Sequence, residues 1–106
     1  MKIYIASPYS IGDPLENVRR QIDACEELSN LGHLPIWPLS SHYWHEIYQH
    51  DWQFWMKMDM QLLALCDAVL RLNGESVGAD CEVDEANRLG ITVYYNINDI
   101  KESKIN

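Results

Sequence analysis

The chain holds no apolar run approaching the ~18 residues that a membrane span needs, and Met1 leads directly into a strand-like segment without a cleavable leader. A membrane protein is therefore not expected. Basic residues are scarce: eight Lys and Arg stand against sixteen Asp and Glu, a formal charge of -8. That balance repels a polyphosphate backbone and argues against general DNA or RNA binding, while leaving room for one small bound anion. Cysteine is limited to Cys25, Cys66 and Cys81, an odd number whose spacing matches no zinc or CxxC pattern. These read as reduced thiols, which predicts a cytoplasmic protein. The five glycines, at 12, 32, 74, 78 and 90, cannot compose GxGxxG, and no glycine precedes a Lys-Ser or Lys-Thr pair. A GxSxG elbow is missing as well, so dehydrogenase, P-loop and α/β-hydrolase chemistries are set aside.

What remains is an ordinary globular composition in 106 residues, enough for one core and too little for two, so a single domain over 1–106 is expected. Lys2 to Ala6 is a β-branched and aromatic run that ends in the turn chemistry of Ser7 to Gly12. Asp13, Pro14 and Glu16 then supply an N-cap acceptor, a first-turn proline and an N3 carboxylate, in the order that starts a helix. Val18, Ile22, Cys25 and Leu28 predict its buried face, and Gly32 its stop. His33 to Pro38 reads as a strand that Pro35 confines to a sheet edge. Ser40 to Tyr48, polar and aromatic without clean periodicity, reads as a loop, with room for a short helical turn, able to cover a ligand.

Trp52, Trp55, Met56, Asp59, Leu62, Leu63 and Cys66 share one stripe, which predicts a helix from about His50 to Leu65. Asp67 to Leu72 is a third strand, Asn73 to Gly78 a loop, Ala79 to Leu89 a helix and Gly90 to Tyr95 a fourth strand, with a weak helix after Asn98. Alternating strands and helices at these spacings predict a three-layer α/β sandwich with a mostly parallel sheet of about four strands. Ligands of such sheets sit outside the carboxyl ends of the strands, here the loops Ser7 to Gly12, Pro38 to His50 and Asn73 to Gly78.

Two carboxylates stand out. Asp59 falls on the most apolar stripe of the chain, where a charge needs partners: it is either structural, accepting loop N–H groups or pairing with Arg71, or functional. Glu82 shares a face with Ala79, Ala86 and Leu89, which turns it toward the sheet and the cleft. As a residue type it reads first as a carboxylate favouring the helix dipole; held there with its charge at neutral pH, it also suits a nucleophile better than a general acid. Ser76 and Gly78, just before that helix, offer a hydroxyl and free N–H groups to an anion. His42, His45 and His50 match no metal-ligand spacing and read as solvent-facing loop residues, so neither metal nor other cofactor is expected.

Ile3-Tyr4-Ile5-Ala6-Ser7-Pro8, then Asp59 and Cys66-Asp67-Ala68, then Ser76-x-Gly78-Ala79-x-x-Glu82-x-x-x-Ala86 with Leu89-Gly90-Ile91, together resemble the nucleoside 2-deoxyribosyltransferase superfamily, particularly its short members. The similarity runs from about Lys2 to Tyr95. It implies a Rossmann-like, flavodoxin-like fold, homodimers or higher homo-oligomers, a small-molecule nucleoside or nucleotide as partner, and N-glycosidic bond cleavage through a covalent glutamyl-deoxyribosyl intermediate. Glu82 occupies the position of the attacking glutamate, and Asp59 that of the second catalytic carboxylate. Ser7, Pro8, Tyr9, Ser76 and Gly78 fall at substrate-binding positions. Members that exchange bases on free nucleosides carry an aspartate six residues before the nucleophile, whereas hydrolases of 2′-deoxynucleoside 5′-monophosphates carry a serine within SxG. Ser76 and Gly78 match the second pattern; the first loop departs from it, having no arginine. Base exchange, and a non-catalytic nucleotide-binding module of the same fold, are the alternatives to hydrolysis.

Overall fold

The computed structural model describes residues 1–103. It contains four strands, β1 (Lys2–Ala6), β2 (Leu34–Ile36), β3 (Ala68–Arg71) and β4 (Thr92–Tyr94), in the order β2-β1-β3-β4 with every pairing parallel. The helices are α1 (Pro14–Asn30), α2 (His42–Ile47), α3 (Trp52–Leu63), α4 (Val77–Leu89) and α5 (Ile97–Ser103), with a 3₁₀ turn over Pro38–Ser41. Side chains alternate across the sheet. Ile3, Ile5, Ala68 and Leu70 meet Ala24 and Leu28 of α1 and Ile100 of α5 on one face; Tyr4, Ala6 and Val69 meet Leu63 of α3 with Ala79 and Ala86 of α4 on the other. The result is the expected three-layer, Rossmann-like α/β sandwich. Among the described residues, no helix is long and apolar enough to cross a membrane.

Local signals act where the sequence places them. The Asp13 carboxylate accepts from Leu15 N–H at 3.0 Å with Pro14 in the first turn, and Gly32, at φ +87°, ends α1 in the left-handed conformation. β2 is an edge strand, so Pro35 withholds no ladder hydrogen bond. The Asp67 carboxylate accepts from Lys2 N–H at 2.8 Å and ties the start of β3 to β1.

Four expectations need correction. The buried face of α1 is Asn17, Gln21, Ala24 and Leu28, while Ile22 is exposed. Asn17 Nδ2 donates to the Tyr9 and Ile11 carbonyls, and Gln21 Nε2 to the Ile5 carbonyl and Ser7 Oγ, so two polar residues are buried because the loop after β1 satisfies them. The segment read as a loop with room for a short helical turn, Ser40 to Tyr48, holds the end of the 3₁₀ turn and the six residues of α2, whose Trp44 and His45 rings pack edge-on against Trp55 of α3. α3 begins at Trp52, because the Asp51 carboxylate caps Phe54 N–H at 2.9 Å. α4 begins at Val77, two residues earlier than expected, because Ser76 is its N-cap.

Candidate active site

The chain leaves β1 toward β2 on one side, and β3 lies on the other, so the loops following β1 and β3 diverge and open a crevice at the carboxyl ends of the strands. A cavity of about 390 Å³ occupies this place. Its wall is drawn from the three loop regions singled out in the sequence, joined by α3 and by Gln21 of α1: Ser7, Tyr9, Ser10 and Ile11; Pro38, Leu39, Ser41, His42, His45 and His50; Trp52, Trp55, Met56 and Asp59; and Glu75 to Ala79 with Glu82.

Glu82 lies at the buried end of this arrangement, 4% exposed, and the hydroxyl of Tyr4, itself fully buried in β1, donates to its Oε2. Burial pushes the Glu82 carboxyl up to about 8; the Tyr4 hydrogen bond opposes this, the negative charge of Asp59 adds to it, and Arg71 opposes it weakly. The expectation that the α4 terminus would keep Glu82 charged is thereby corrected. Glu82 is the sixth residue of α4, beyond the first turn where the dipole acts, and desolvation decides its protonation. Tyr4 is pushed well above the ordinary phenol value by the same burial and by the Glu82 charge.

Asp59, half-buried on α3, is lifted to about 7 by burial. Neither structural role weighed for it is realised: among the described residues no N–H group reaches it, and Arg71 instead pairs with Asp80 at 3.0 Å and donates to the Leu72 and Gly74 carbonyls. Arg71 therefore clamps the loop after β3 to the start of α4. On the other side of the crevice Pro8 approaches that loop so closely that a Cβ at Gly74, which sits at φ +122°, would lie 2.7 Å from Pro8 Cγ.

Of the seven residues expected to form the site, Glu82, Asp59, Ser7, Tyr9, Ser76 and Gly78 line the cavity. Pro8 does not; it is the buried spacer beneath Gly74. The Ser76 hydroxyl accepts from Ala79 N–H at 3.0 Å, which leaves its own proton free to donate. Gly78 is an ordinary helical glycine where a Cβ would meet Met56 Sδ at 3.5 Å and Trp52 Nε1 at 3.7 Å, so its bareness widens the cavity rather than relieving strain.

For His42 and His45 the reading as solvent-facing loop residues is corrected, since both sit on α2, whereas His50 is an exposed loop residue as expected; all three line the cavity. His42 is 8% exposed and its Nδ1 lies 2.5 Å from Tyr9 Oη; His45 Nδ1 accepts from the Trp55 indole at 2.8 Å; His50 stacks on Phe54 with ring centres 3.8 Å apart. α2, longer than the short turn that the sequence allowed, brings the first two there. Sequence reasoning missed Tyr4, Gln21 and His42. Only Tyr4 carried a signal, a hydroxyl-bearing side chain in an otherwise apolar central strand. Among the described residues the cavity wall carries three carboxyl groups, Asp59, Glu75 and Glu82, and neither Lys nor Arg. Two raised carboxyls in an aromatic enclosure offer either a nucleophile or a proton donor to a neutral, partly apolar ligand.

In fold, the chain is similar to a 2-deoxyribosyltransferase from Bacillus psychrosaccharolyticus, described as a biocatalyst for nucleoside synthesis: the TM-score is 0.69 at 24% identity, over 88% of this chain and 69% of that one. No curated protein matches it. A family model described as a domain of unknown function, DUF7768, matches residues 1–96, nearly the whole of the described fold, and the chain belongs to that family.

Proposed function

We propose that the cavity binds a 2′-deoxynucleoside and cleaves its N-glycosidic bond, with Glu82 forming a covalent deoxyribosyl ester that water, or a second base, resolves. The observation that carries this reading is the Glu82 carboxyl, buried against the Tyr4 hydroxyl at the inner end of a cavity that also presents Asp59. A nucleophilic carboxylate must be positioned and desolvated, and Tyr4 does the first while burial does the second. Asp59, without a protein partner among the described residues, is available to the sugar hydroxyls. The aromatic wall of Trp52, Trp55 and His50 suits the flat face of a base. The fold's likeness to a 2-deoxyribosyltransferase supports the same chemistry, as does the resemblance of the Ser76-x-Gly78…Glu82 spacing to that superfamily.

A wall with three carboxyls and no basic side chain among the described residues favours the uncharged nucleoside over its monophosphate. The monophosphate is the second reading, favoured by Ser76 and the first N–H groups of α4, which face the cavity and can donate to an anion. Assembly into homo-oligomers belongs to the same proposal. It is supported by the exposure of Tyr43, Ile47, Tyr48 and Trp52 on and beside α2, and light scattering at micromolar concentration tests it, a monomer refuting it.

The experiment is incubation with a panel of deoxynucleosides and their 5′-monophosphates, free base being resolved by chromatography. Glu82→Ala should fold and lose cleavage by roughly 10³-fold or more. Near-native turnover by that variant refutes the nucleophile. A preference for monophosphates that Ser76→Ala abolishes decides for the second reading.

A further inference from the structure

Breaking a glycosidic bond leaves an electron pair on a ring nitrogen of the base, and an ordinary base departs poorly unless a proton arrives with it. Asp59 is one candidate donor; where the sugar hydroxyls engage it, as proposed above, the wall offers another. His45 is engaged by the Trp55 indole, and His50 is exposed and stacked on Phe54. Tyr9 and His42 differ. The Tyr9 hydroxyl lies 2.5 Å from His42 Nδ1, both residues line the cavity, and His42 Nε2 lies 3.7 Å from the carboxylate of Glu46, a residue 60% exposed one helical turn along α2. Asn17 holds the Tyr9 main chain through its carbonyl at 2.9 Å. The imidazole thus bridges a phenol inside the cavity and a carboxylate at the surface, an arrangement that packing alone does not require.

We propose that Tyr9, His42 and Glu46 form a proton relay from solvent to the leaving base, Tyr9 touching the base and His42 acting through Tyr9. The proposal rests on the glycosidic-cleavage reading. As C1′–N breaks and C1′ bonds to a Glu82 oxygen, the base nitrogen keeps the electron pair and takes the phenolic proton of Tyr9. Tyr9 takes the Nδ1 proton of the His42 imidazole, whose Nε2, facing Glu46, takes a proton from solvent. When water attacks C1′ and the ester C1′–O bond breaks, the Glu82 carboxylate is released, and the proton lost by water passes through Tyr9 back to His42 Nδ1 while Nε2 returns its proton to solvent. Each cycle restores the starting protonation.

The test compares 2′-deoxyguanosine with 7-methyl-2′-deoxyguanosine, whose base already carries a positive charge and leaves neutral without a proton. Initial rates are followed chromatographically for the wild type, Tyr9→Phe and His42→Asn. Asparagine keeps an acceptor near the Nδ1 position but cannot supply a proton, so a merely structural histidine would be rescued by it. Both variants should lose about 10²-fold in kcat on 2′-deoxyguanosine and no more than about threefold on the methylated substrate. Equal losses on the two substrates, or none on 2′-deoxyguanosine, overturn the relay while leaving the Glu82 reading intact. If His42→Asn does not fold, Tyr9→Phe, which deletes one oxygen atom, decides the question by the same comparison of substrates. Cleavage of neither substrate by the wild type overturns the relay together with the purine-cleaving form of the function it serves.

Discussion

Replacing Glu82 by Gln separates the burial of its carboxyl from the rest of the fold. In the unfolded chain this group loses its proton near the usual 4.5, whereas burial in the folded protein delays the loss to about 8. Between those values the folded state holds more protons, so stability falls as pH rises: the contribution is complete below 4.5 and is lost as pH passes through about 8. At about 1.4 kcal/mol per pH unit the whole lift amounts to about 5 kcal/mol, of which about 3 kcal/mol is already gone at pH 7. Glutamine has nearly the same shape, and its amide oxygen can accept the Tyr4 hydroxyl that now donates to Glu82. Glu82→Gln should therefore match the wild type at pH 4.5 and exceed it by an amount that grows steadily to about pH 8 and then levels off. Urea unfolding followed by tryptophan fluorescence at half-unit pH steps measures this, with unchanged m-values licensing the comparison. Asp59 contributes its own slope to both proteins, and because the two carboxyls are coupled the difference between them carries the Glu82 shift together with the change that its charge makes in Asp59. Two stability curves running parallel from pH 5 to 9 refute the claim that desolvation controls this group.

If Glu82 is the nucleophile, kcat/KM for glycosidic cleavage should rise with pH along a limb belonging to the coupled Glu82 and Asp59 pair, between about 7 and 8. Tyr4→Phe removes a hydrogen bond that favours the ionised carboxyl and should move the limb to higher pH, whereas Asp59→Asn removes a like charge and should move it lower; pH profiles of the three proteins check both signs. Gly74→Ala should destabilise the protein by roughly 1–3 kcal/mol, because φ +122° is strained for alanine and its Cβ would collide with Pro8, and a chemical denaturation midpoint reads the loss.

What the sequence made legible was whatever a few neighbouring residues decide. Asp13 and Pro14 start α1 through one local hydrogen bond and one fixed φ; Gly32 ends it; Pro35 marks an edge; Ala79, Glu82 and Ala86 share a buried face because helical spacing alone requires it. The α1 face was misread because amphipathicity counts apolar side chains, while Asn17 and Gln21 are buried for their hydrogen bonds to the loop after β1. α2 reads as no more than a short turn because six residues are too few to display a period, and a helix that short persists only through contacts such as Trp44 against Trp55.

The same division runs through the site. Six of the seven expected residues reach one cavity because parallel strands end at a shared edge of the sheet, and parallel pairing follows from the alternation of elements along the chain, whereas the order β2-β1-β3-β4 that opens the crevice does not. Their protonation does not follow in that way. Glu82 takes its state from Tyr4, 78 positions away in sequence, and from the desolvation that the whole sandwich provides. Pro8 reads as part of a binding motif, yet it acts by setting how near the β3 loop can come, and only because position 74 lacks a Cβ. Arg71 read as a possible mate for Asp59, yet it spends its donors on the Leu72 and Gly74 carbonyls and on Asp80, which leaves Asp59 facing the cavity without a cation. The wall is therefore acidic because the fold directs the Arg71 guanidinium, like that of Arg20, into holding the loop after β3, and a ligand of this cavity must tolerate carboxyl groups or bring their proton balance to neutrality.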